Sequence, residues 1–265
     1  MLINLESITL GILGGLGPMS SVYFYEMLTA HTRAIKDQQH LNIIISSRAN
    51  TPDRTDYILG RSQESPLPAM IEEAQRLELA GAGIIAIPCN TAHCFYEGIC
   101  DSVNIPILNI IRMTVEFCRS LGLRKVGLLA TEGTVDSRAY ENALKEANIN
   151  CIIPKKEDQN TVSNIIYEQV KKGLAPDIDA FLEVVDNLRK DGCERMILGC
   201  TELSLLKRNH LPGNDFIDSL EVLALSAIRL CGKEPKNFDA ELMAFSVPCN
   251  NTFDHRIAKG SKPCC

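Results

Sequence analysis

The sequence of 265 residues contains no tryptophan, and aromatic residues make up only 5% of it. No apolar run approaches the roughly 20 residues that a membrane-spanning helix requires, and the N-terminus lacks the basic start of a signal peptide. An excess of positive charge is also missing, because 27 lysines and arginines face 33 acidic residues and the formal net charge is −6. These absences argue against a membrane protein, a secreted protein and a nucleic-acid partner.

Cysteine, in contrast, is abundant. There are eleven cysteines, an odd number whose spacing indicates no disulfide framework. Free thiols are typical of a reducing compartment, so we expect a cytoplasmic protein. Each cysteine is then either a small buried hydrophobe or a reactive group. The chain is long enough to bury a core without disulfide or metal staples.

Short apolar runs recur along the chain and predict buried strands. Most are continuously apolar, as expected of strands that are covered on both faces of a parallel sheet. The predicted strands are Thr9–Leu13, Leu41–Ser46, Ile84–Pro88, Pro106–Asn109, Lys125–Ala130, Asn150–Ile153, Met196–Gly199 and Asp215–Asp218.

Amphipathic helices are predicted between these strands. In Leu67–Leu79, apolar residues recur at helical spacing, and the acidic residues Glu72 and Glu73 are assigned to the opposite, solvated face. The residues from Phe181 to Leu188 show the same pattern before the helix stop at Gly192. Alternating strands and helices predict an α/β fold with right-handed crossovers.

The two halves of the chain resemble each other. Gly11 and Gly127 lie in matching first strands, and Cys89 and Cys200 follow at similar spacings in matching later strands. Coincidence among short apolar strands is the alternative, but paired cysteines favour a duplication. We therefore predict two pseudo-symmetric α/β lobes, each with a parallel sheet flanked by helices. The predicted N-terminal lobe comprises residues 1–112 and 214–233, and the C-terminal lobe comprises residues 113–213.

Both of these cysteines end a strand just before a predicted helix start. In open parallel sheets, ligands bind outside the carboxyl ends of the strands. A helix N-terminus favours a thiolate and offers N–H donors to a carboxylate. A lone cysteine is usually a packing residue, and that interpretation would hold for either Cys89 or Cys200 alone. It does not explain two cysteines at equivalent points of a duplicated lobe.

Two thiols that face one cleft from opposite lobes suit one particular chemistry. A thiolate on one face of a substrate carbon removes a proton, and a thiol on the other face returns a proton with inverted configuration. Each positioned acid or base contributes on the order of 10²–10⁴ in rate, so an effective enzyme needs both. The pattern predicts racemisation or epimerisation.

Four motifs resemble those of the cofactor-independent aspartate/glutamate racemase family, and the aspartate racemase branch in particular. They are Gly14-Gly15-Leu16-Gly17-Pro18, Pro52-Asp53-Arg54-Thr55, Pro88-Cys89-Asn90-Thr91-Ala92-His93 and Gly199-Cys200-Thr201-Glu202-Leu203. The resemblance covers about residues 7–232. It implies catalytic roles for Cys89 and Cys200, an acidic amino acid as the small-molecule partner, an active site between two lobes and a homodimer. It implies no cofactor and no metal. Leu16 departs from the pattern, because methionine is frequent at its position.

An acidic amino acid needs donors for its α-carboxylate and cations for its distal carboxylate. The predicted α-carboxylate donors lie beside the thiols or, for Thr131, at a position that matches the family; they are Asn90, Thr91, Thr131 and Thr201. Helix capping is the alternative role and is compatible with binding. Arg54 and Lys171 are the predicted cations, and both positions resemble the anchors of the family. Tyr167 precedes Lys171 by one helical turn, and packing is its simpler explanation.

Three features leave alternatives open. His93 and Glu202 either relay protons to the thiols or fill structural roles in the core and at a helix N-terminus. Cys94 lies beside His93, but no second cluster at zinc-like spacing accompanies it. Residues 234–265 show no clear period and lie beyond the resemblance, so we expect either a disordered tail or an arm docked on a partner subunit.

The sequence therefore predicts an aspartate racemase. A glutamate or broad-specificity amino-acid racemase is the alternative within enzymes. A non-catalytic amino-acid-binding module that keeps the same cleft is the alternative in a different functional class.

Overall fold

The computed structural model describes residues 8–210 and 215–247. In these residues, two four-stranded sheets are entirely parallel. The strands are β1 (Leu10–Gly14), β2 (Ile43–Ser47), β3 (Ile84–Ala86), β4 (Ile107–Leu108), β5 (Lys125–Leu129), β6 (Asn150–Ile152), β7 (Arg195–Leu198) and β8 (Phe216–Asp218). All eight predicted strands are confirmed, and none of their ends moves by more than two residues.

Helices cover both faces of the sheets. They are α1 (Pro18–His31), α2 (Arg54–Ile58), α3 (Leu67–Leu79), α4 (Tyr96–Cys100), α5 (Ile110–Ser120), α6 (Glu132–Asp136), α7 (Ala139–Glu146), α8 (Lys156–Asn164), α9 (Ile178–Lys190), α10 (Thr201–His210), α11 (Ser219–Leu230) and α12 (Ala240–Ala244). The predicted bounds of α3 are confirmed. Its Glu73 is buried rather than solvated, because its carboxylate accepts a hydrogen bond from Ser46 and pairs with Arg48.

The two sheets have the same topology. The first has the strand order β2-β1-β3-β4, and the second has the order β6-β5-β7-β8. The first strands carry equivalent glycines, because a Cβ at Gly11 would lie 2.9 Å from Ala82 Cβ and one at Gly127 would lie 2.9 Å from Leu188 Cδ1. In each lobe, this glycine leaves room for the segment that covers the sheet. The predicted two-lobe α/β fold is confirmed.

The lobes exchange a helix, which corrects part of the domain prediction. Strand β8 pairs with β7, so residues 216–218 belong to the second sheet and not to the N-terminal lobe. Helix α11 follows β8 but packs on α1 of the first lobe, whereas α5 follows β4 and packs on α7 of the second. The largest hydrophobic core consequently spans both lobes and includes the buried faces of α5 and α11.

The first part of the predicted tail folds onto the body of its own chain. Leu242 and Phe245 are buried, and the Phe245 ring packs 5.3 Å from that of Phe117. Glu241 forms a two-point ion pair with Arg195. The prediction of a disordered or partner-docked arm is therefore wrong for residues 235–247. The helix in this segment has only five residues, which is too short to show a helical period in the sequence. Residues 248–265 of the predicted tail lie outside the described residues.

Candidate active site

Cys89 and Cys200 line the same cavity between the lobes. Cys89 follows β3 and Cys200 follows β7, the equivalent third strands of the two sheets, and both residues are buried. The six predicted binding residues line this cavity as well: Arg54, Asn90, Thr91, Thr131, Lys171 and Thr201. The structure adds five neighbours, which are Leu16, Asp53, Thr55, Tyr167 and Glu202.

The chain continues differently after each cysteine. Cys200 directly precedes the ten-residue helix α10, as predicted. Cys89 is instead followed by a short 3-10 turn, Thr91–Phe95, and then by α4. The dipole of a regular helix is therefore aligned with Cys200, whereas Cys89 has only a tighter and shorter turn behind it.

A buried carboxylate accompanies Cys200. The Cys200 Sγ donates a hydrogen bond to Glu202 Oε2 across 2.9 Å, and Glu202 itself is only 6% exposed. Burial raises the pKa of the Cys200 thiol well above its usual value, the negative charge of Glu202 raises it further, and Lys171 opposes both effects. Cys200 therefore holds its proton at neutral pH, with an acceptor for that proton in direct contact.

The glycine-rich loop before α1 makes room for this carboxylate. Gly17 adopts φ 152°, and a Cβ at this position would lie 2.7 Å from Glu202 Oε1. Only glycine combines this backbone conformation with so close a neighbour. The first lobe thus leaves room for a side chain that belongs to the second.

Arg54 is buried at the cavity wall and is held by backbone carbonyls. Its Nη2 donates to Leu16 O at 2.8 Å, and its Nη1 donates to Pro52 O at 3.1 Å. Its Nε is buried and, within the described residues, has no hydrogen-bond partner. The charged guanidinium is therefore held in place, while its Nε lacks an acceptor within the described residues. These properties suit a group that binds a carboxylate.

Lys171 and Tyr167 are adjacent, although not on the regular helix that their spacing predicted. Tyr167 lies in a π-helical turn, Ile165–Gln169, and Lys171 lies in the following 3-10 turn. The Lys171 Nζ sits 4.5 Å from the centre of the Tyr167 ring. The Tyr167 hydroxyl crosses the cleft and donates to Thr55 Oγ1 at 2.7 Å. Burial raises the pKa of Tyr167, so this phenol keeps its proton.

Three threonine hydroxyls form a closed triangle where the lobes meet. Thr91 Oγ1 lies 2.9 Å from both Thr131 Oγ1 and Thr134 Oγ1, and the last two are 3.0 Å apart. Thr131 also caps α6, so capping and lining the cavity coincide. Thr201 joins the lobes as well, because its hydroxyl donates to Pro88 O at 3.3 Å.

Asn90 is held from both sides by residues that sequence reasoning missed. Its Oδ1 accepts a hydrogen bond from the Tyr140 hydroxyl at 2.7 Å, and its Nδ2 donates to Ser219 Oγ at 3.0 Å. Ser219 had one signal in the sequence, because it directly follows a strand end. Tyr140 had none, since it lies 50 residues from Asn90 in an ordinary amphipathic helix.

The structure favours the core role for His93. Its Nδ1 donates to Cys89 O at 2.9 Å, and its Nε2 accepts from the Ile110 N–H at 3.2 Å. Burial lowers the pKa of His93, which matches a neutral ring with one donor and one acceptor nitrogen. His93 therefore supports the backbone of Cys89 and leaves no ring nitrogen for the thiol.

Residues 8–210 and 215–247 contain neither a metal-binding cluster nor a membrane-spanning helix. Histidine, cysteine and acidic side chains nowhere gather in threes in a way that could hold a metal ion. None of the helices found there combines the length and apolar character needed to cross a membrane.

Comparison with known proteins matches this architecture. The model of the Asp/Glu/Hydantoin racemase family matches residues 13–227. The aspartate racemase of Picrophilus torridus is 32% identical, with a TM-score of 0.75 over 86% of this chain and 96% of that one. An aspartate racemase homologue from Pyrococcus horikoshii OT3 is 28% identical, with a TM-score of 0.70 over 84% and 99%.

Among curated relatives, the broad specificity amino-acid racemase RacX of Bacillus subtilis is 28% identical over 223 residues, which is 83% of this chain and 96% of that protein. The fold of the present chain and the cleft between its two lobes are thus those of the racemases, a class of isomerases. The chain belongs to the Asp/Glu/Hydantoin racemase family.

Proposed function

We propose that the protein is a cofactor-independent racemase that interconverts L- and D-aspartate through Cys89 and Cys200. The observation that carries this proposal is the convergence of two thiols, one from each lobe, on a cavity that also contains an arginine and a lysine. The two lobes have the same topology and each contributes one thiol to the cavity, which supports a two-base reaction at one carbon.

The reaction removes a proton from one face of the substrate α-carbon and adds a proton to the opposite face. A thiolate takes the α-proton, so the Cα–H bond breaks, an S–H bond forms, and the electron pair stays on the planar α-carbon. The opposite thiol then gives its proton to the other face and becomes the thiolate. Cys200 rests as the thiol, which makes it the proton donor for one enantiomer, and Glu202 is placed to take its proton when the other enantiomer binds.

The carbanion needs stabilisation at the α-carboxylate. Hydroxyl and amide donors from Asn90, Thr91, Thr131 and Thr201 line the cavity beside the thiols, and we assign them to this carboxylate. Arg54 and Lys171 hold the distal carboxylate in our proposal. The buried Arg54 Nε, which has no partner among the residues that the structure describes, supports this assignment, because an anion would supply the acceptor that it lacks.

Glutamate or broad-specificity racemisation is the second candidate activity. Its support is the likeness to the broad specificity racemase of Bacillus subtilis. The paired cations favour an acidic side chain over a neutral one, and the choice between aspartate and glutamate then depends on how far the distal carboxylate reaches. A non-catalytic amino-acid-binding module is the candidate outside enzymes.

A single incubation separates these candidates. L-Aspartate is kept with the protein in heavy water, without added cofactor, and the α-deuterium and the D-isomer are measured by NMR and chiral chromatography. We expect both to appear. L-Glutamate in parallel reports side-chain preference. Binding of either amino acid without α-deuterium and without the D-isomer would establish the non-catalytic module instead.

Two further expectations accompany the proposed activity. The eight cysteines in the described part of the chain are all free, which supports a reducing cytoplasmic location. The family resemblance also leads us to propose a homodimer, and sedimentation of the purified protein at several concentrations measures this directly.

A further inference from the structure

The orientation of the Asn90 carboxamide is decided by a chain of hydrogen bonds that begins in β7. Leu198 O can only accept, so the Ser219 hydroxyl donates its single proton to this carbonyl, at 2.8 Å. Ser219 Oγ must then act as the acceptor for Asn90, which turns Nδ2 toward it at 3.0 Å. Oδ1 consequently faces Tyr140, whose hydroxyl donates to it at 2.7 Å.

This chain is sealed from solvent and joins the two cysteine loops. Asn90 is 2% exposed, and Ser219 and Tyr140 are both 0% exposed. Asn90 directly follows Cys89, whereas Leu198 lies two residues before Cys200. Burial raises the pKa of Tyr140, so its hydroxyl remains a donor at any ordinary pH. Low polarity around these groups strengthens each hydrogen bond and makes a reversed amide costly.

We propose that Ser219 and Tyr140 are positioning residues that hold the Asn90 amide in one orientation, with its second Nδ2 hydrogen offered to the α-carboxylate of the substrate. The two hydrogen bonds account for Oδ1 and for one of the two Nδ2 hydrogens. Asn90 lines the cavity, and we assign its second Nδ2 hydrogen to a ligand there. This inference rests on the proposed racemase function.

A fixed amide orientation makes the site selective for a carboxylate at the α-position. A carboxylate is an acceptor only, so it pairs with N–H and is repelled by the Oδ1 of a reversed amide. An α-carboxamide carries both a donor and an acceptor, so it tolerates either orientation. Loss of the positioning bonds should therefore weaken the binding of the carboxylate more than that of the carboxamide.

The test compares Ser219→Ala with Ser226→Ala. Both serines lie on α11 and are 0% exposed, but Ser226 Oγ has no hydrogen-bond partner in the part of the chain that the structure covers. L-Aspartate and its α-amide, L-isoasparagine, are the two probes, and their KM or inhibition constants are measured for each variant. We expect Ser219→Ala to reduce the preference for aspartate by about 10- to 100-fold, as for a lost charge-assisted hydrogen bond, and Ser226→Ala to leave it unchanged.

Tyr140→Phe provides a second, independent variant. It removes the other bond to the same amide without removing the ring, so we expect it to lower the same preference even if Ser219→Ala does not fold. A preference unchanged from wild type in the folded variants would overturn the inference, whatever happens to the turnover rate, because a merely structural role weakens both ligands equally. A wild-type protein that shows no α-proton exchange would instead contradict the proposed function.

Discussion

The loops that carry Cys89 and Cys200 are equivalent in the fold but differ in their chemistry. Cys89 leads into a 3-10 turn, and its carbonyl oxygen is held by His93. Cys200 leads into the regular helix α10, and its thiol donates directly to the Glu202 carboxylate. The pseudo-symmetry of the lobes therefore brings two thiols to one cavity, whereas local contacts place a carboxylate beside Cys200.

This difference suits racemisation, which needs one thiolate and one thiol at a time. Two identical environments would favour the same protonation state at both sulfurs. The carboxylate of Glu202 beside the Cys200 thiol raises the pKa of that thiol, so Cys200 is held as the proton donor before substrate arrives. Variants of the two cysteine loops, and then of the other cavity residues, test this difference and the site built around it, from the largest expected effect to the smallest.

Replacement of either cysteine by serine should remove nearly all activity. Serine is far less acidic than cysteine at this position, so Cys89→Ser and Cys200→Ser each lose about 10²- to 10⁴-fold in the rate of racemisation. Cys118→Ser is the matched control, because Cys118 is a free, fully buried cysteine of the core. A comparable loss in all three variants would indicate structural thiols.

Glu202→Gln should change the reactivity of the Cys200 thiol and leave that of the Cys89 thiol as it is. The variant removes the negative charge that raises the pKa of Cys200, so the Cys200 thiolate should form at lower pH than in the wild type, while burial still keeps the pKa high. Racemisation should nevertheless fall by about 10²-fold, because the proton acceptor is gone. Alkylation followed by mass spectrometry over a pH series reports each cysteine separately. If the profile of Cys200 stays in place or moves to higher pH, Glu202 does not control this thiol.

The two proposed cation anchors should differ in strength. Arg54 is buried and fixed by carbonyls, so Arg54→Lys should raise the KM for aspartate by about 10- to 100-fold. Lys171 is exposed, and solvent screens its charge, so Lys171→Met should raise the KM only about 3- to 10-fold. Lys172→Met is the control for the second variant, because Lys172 pairs with Glu168 instead. A larger effect from Lys171 than from Arg54 would reverse the assignment.

The hydrogen bond between Tyr167 and Thr55 should have the smallest effect, which is a modest contribution to the free energy of unfolding. Removing its acceptor in Thr55→Val should lower the free energy of unfolding by about 0.5–1.5 kcal/mol, the usual net value of one hydrogen bond. Urea unfolding measures this change. Tyr167→Phe removes the donor and should cost the same amount, and the double variant should cost no more than either single variant. Additive losses would show that the two side chains act independently.

Much of the fold was predictable because its strands are buried on both faces. Continuous apolar runs such as Lys125–Leu129 mark a strand without help from distant residues. Helices of five residues, such as α2, α6 and α12, show no period and escaped prediction. Residues 235–247 were wrongly predicted for the same reason, since the buried Leu242 and Phe245 belong to no recognisable pattern and the ion pair of Glu241 joins it to the distant Arg195.

The candidate site could be predicted where reactive or polar side chains lie at the end of a strand. Cys89 and Cys200 stand at such points, and so do the polar residues that follow each of them. Tyr140 and Ser219 were missed because their role depends on partners 50 and 129 residues away from them, at Asn90. Such contacts form only when the lobes pack together, so no local spacing of residues in the sequence predicts them.

The central claim is that the two thiols act from opposite faces of one carbon, and the isotope pattern in heavy water tests it most directly. At early times, L-aspartate is converted and both pools are analysed for α-deuterium. Two bases predict that the D-aspartate formed carries deuterium while the remaining L-aspartate keeps its original proton. D-Aspartate that retains the original proton, or L-aspartate that gains deuterium as fast as product appears, would mean that one base serves both faces and would contradict the account.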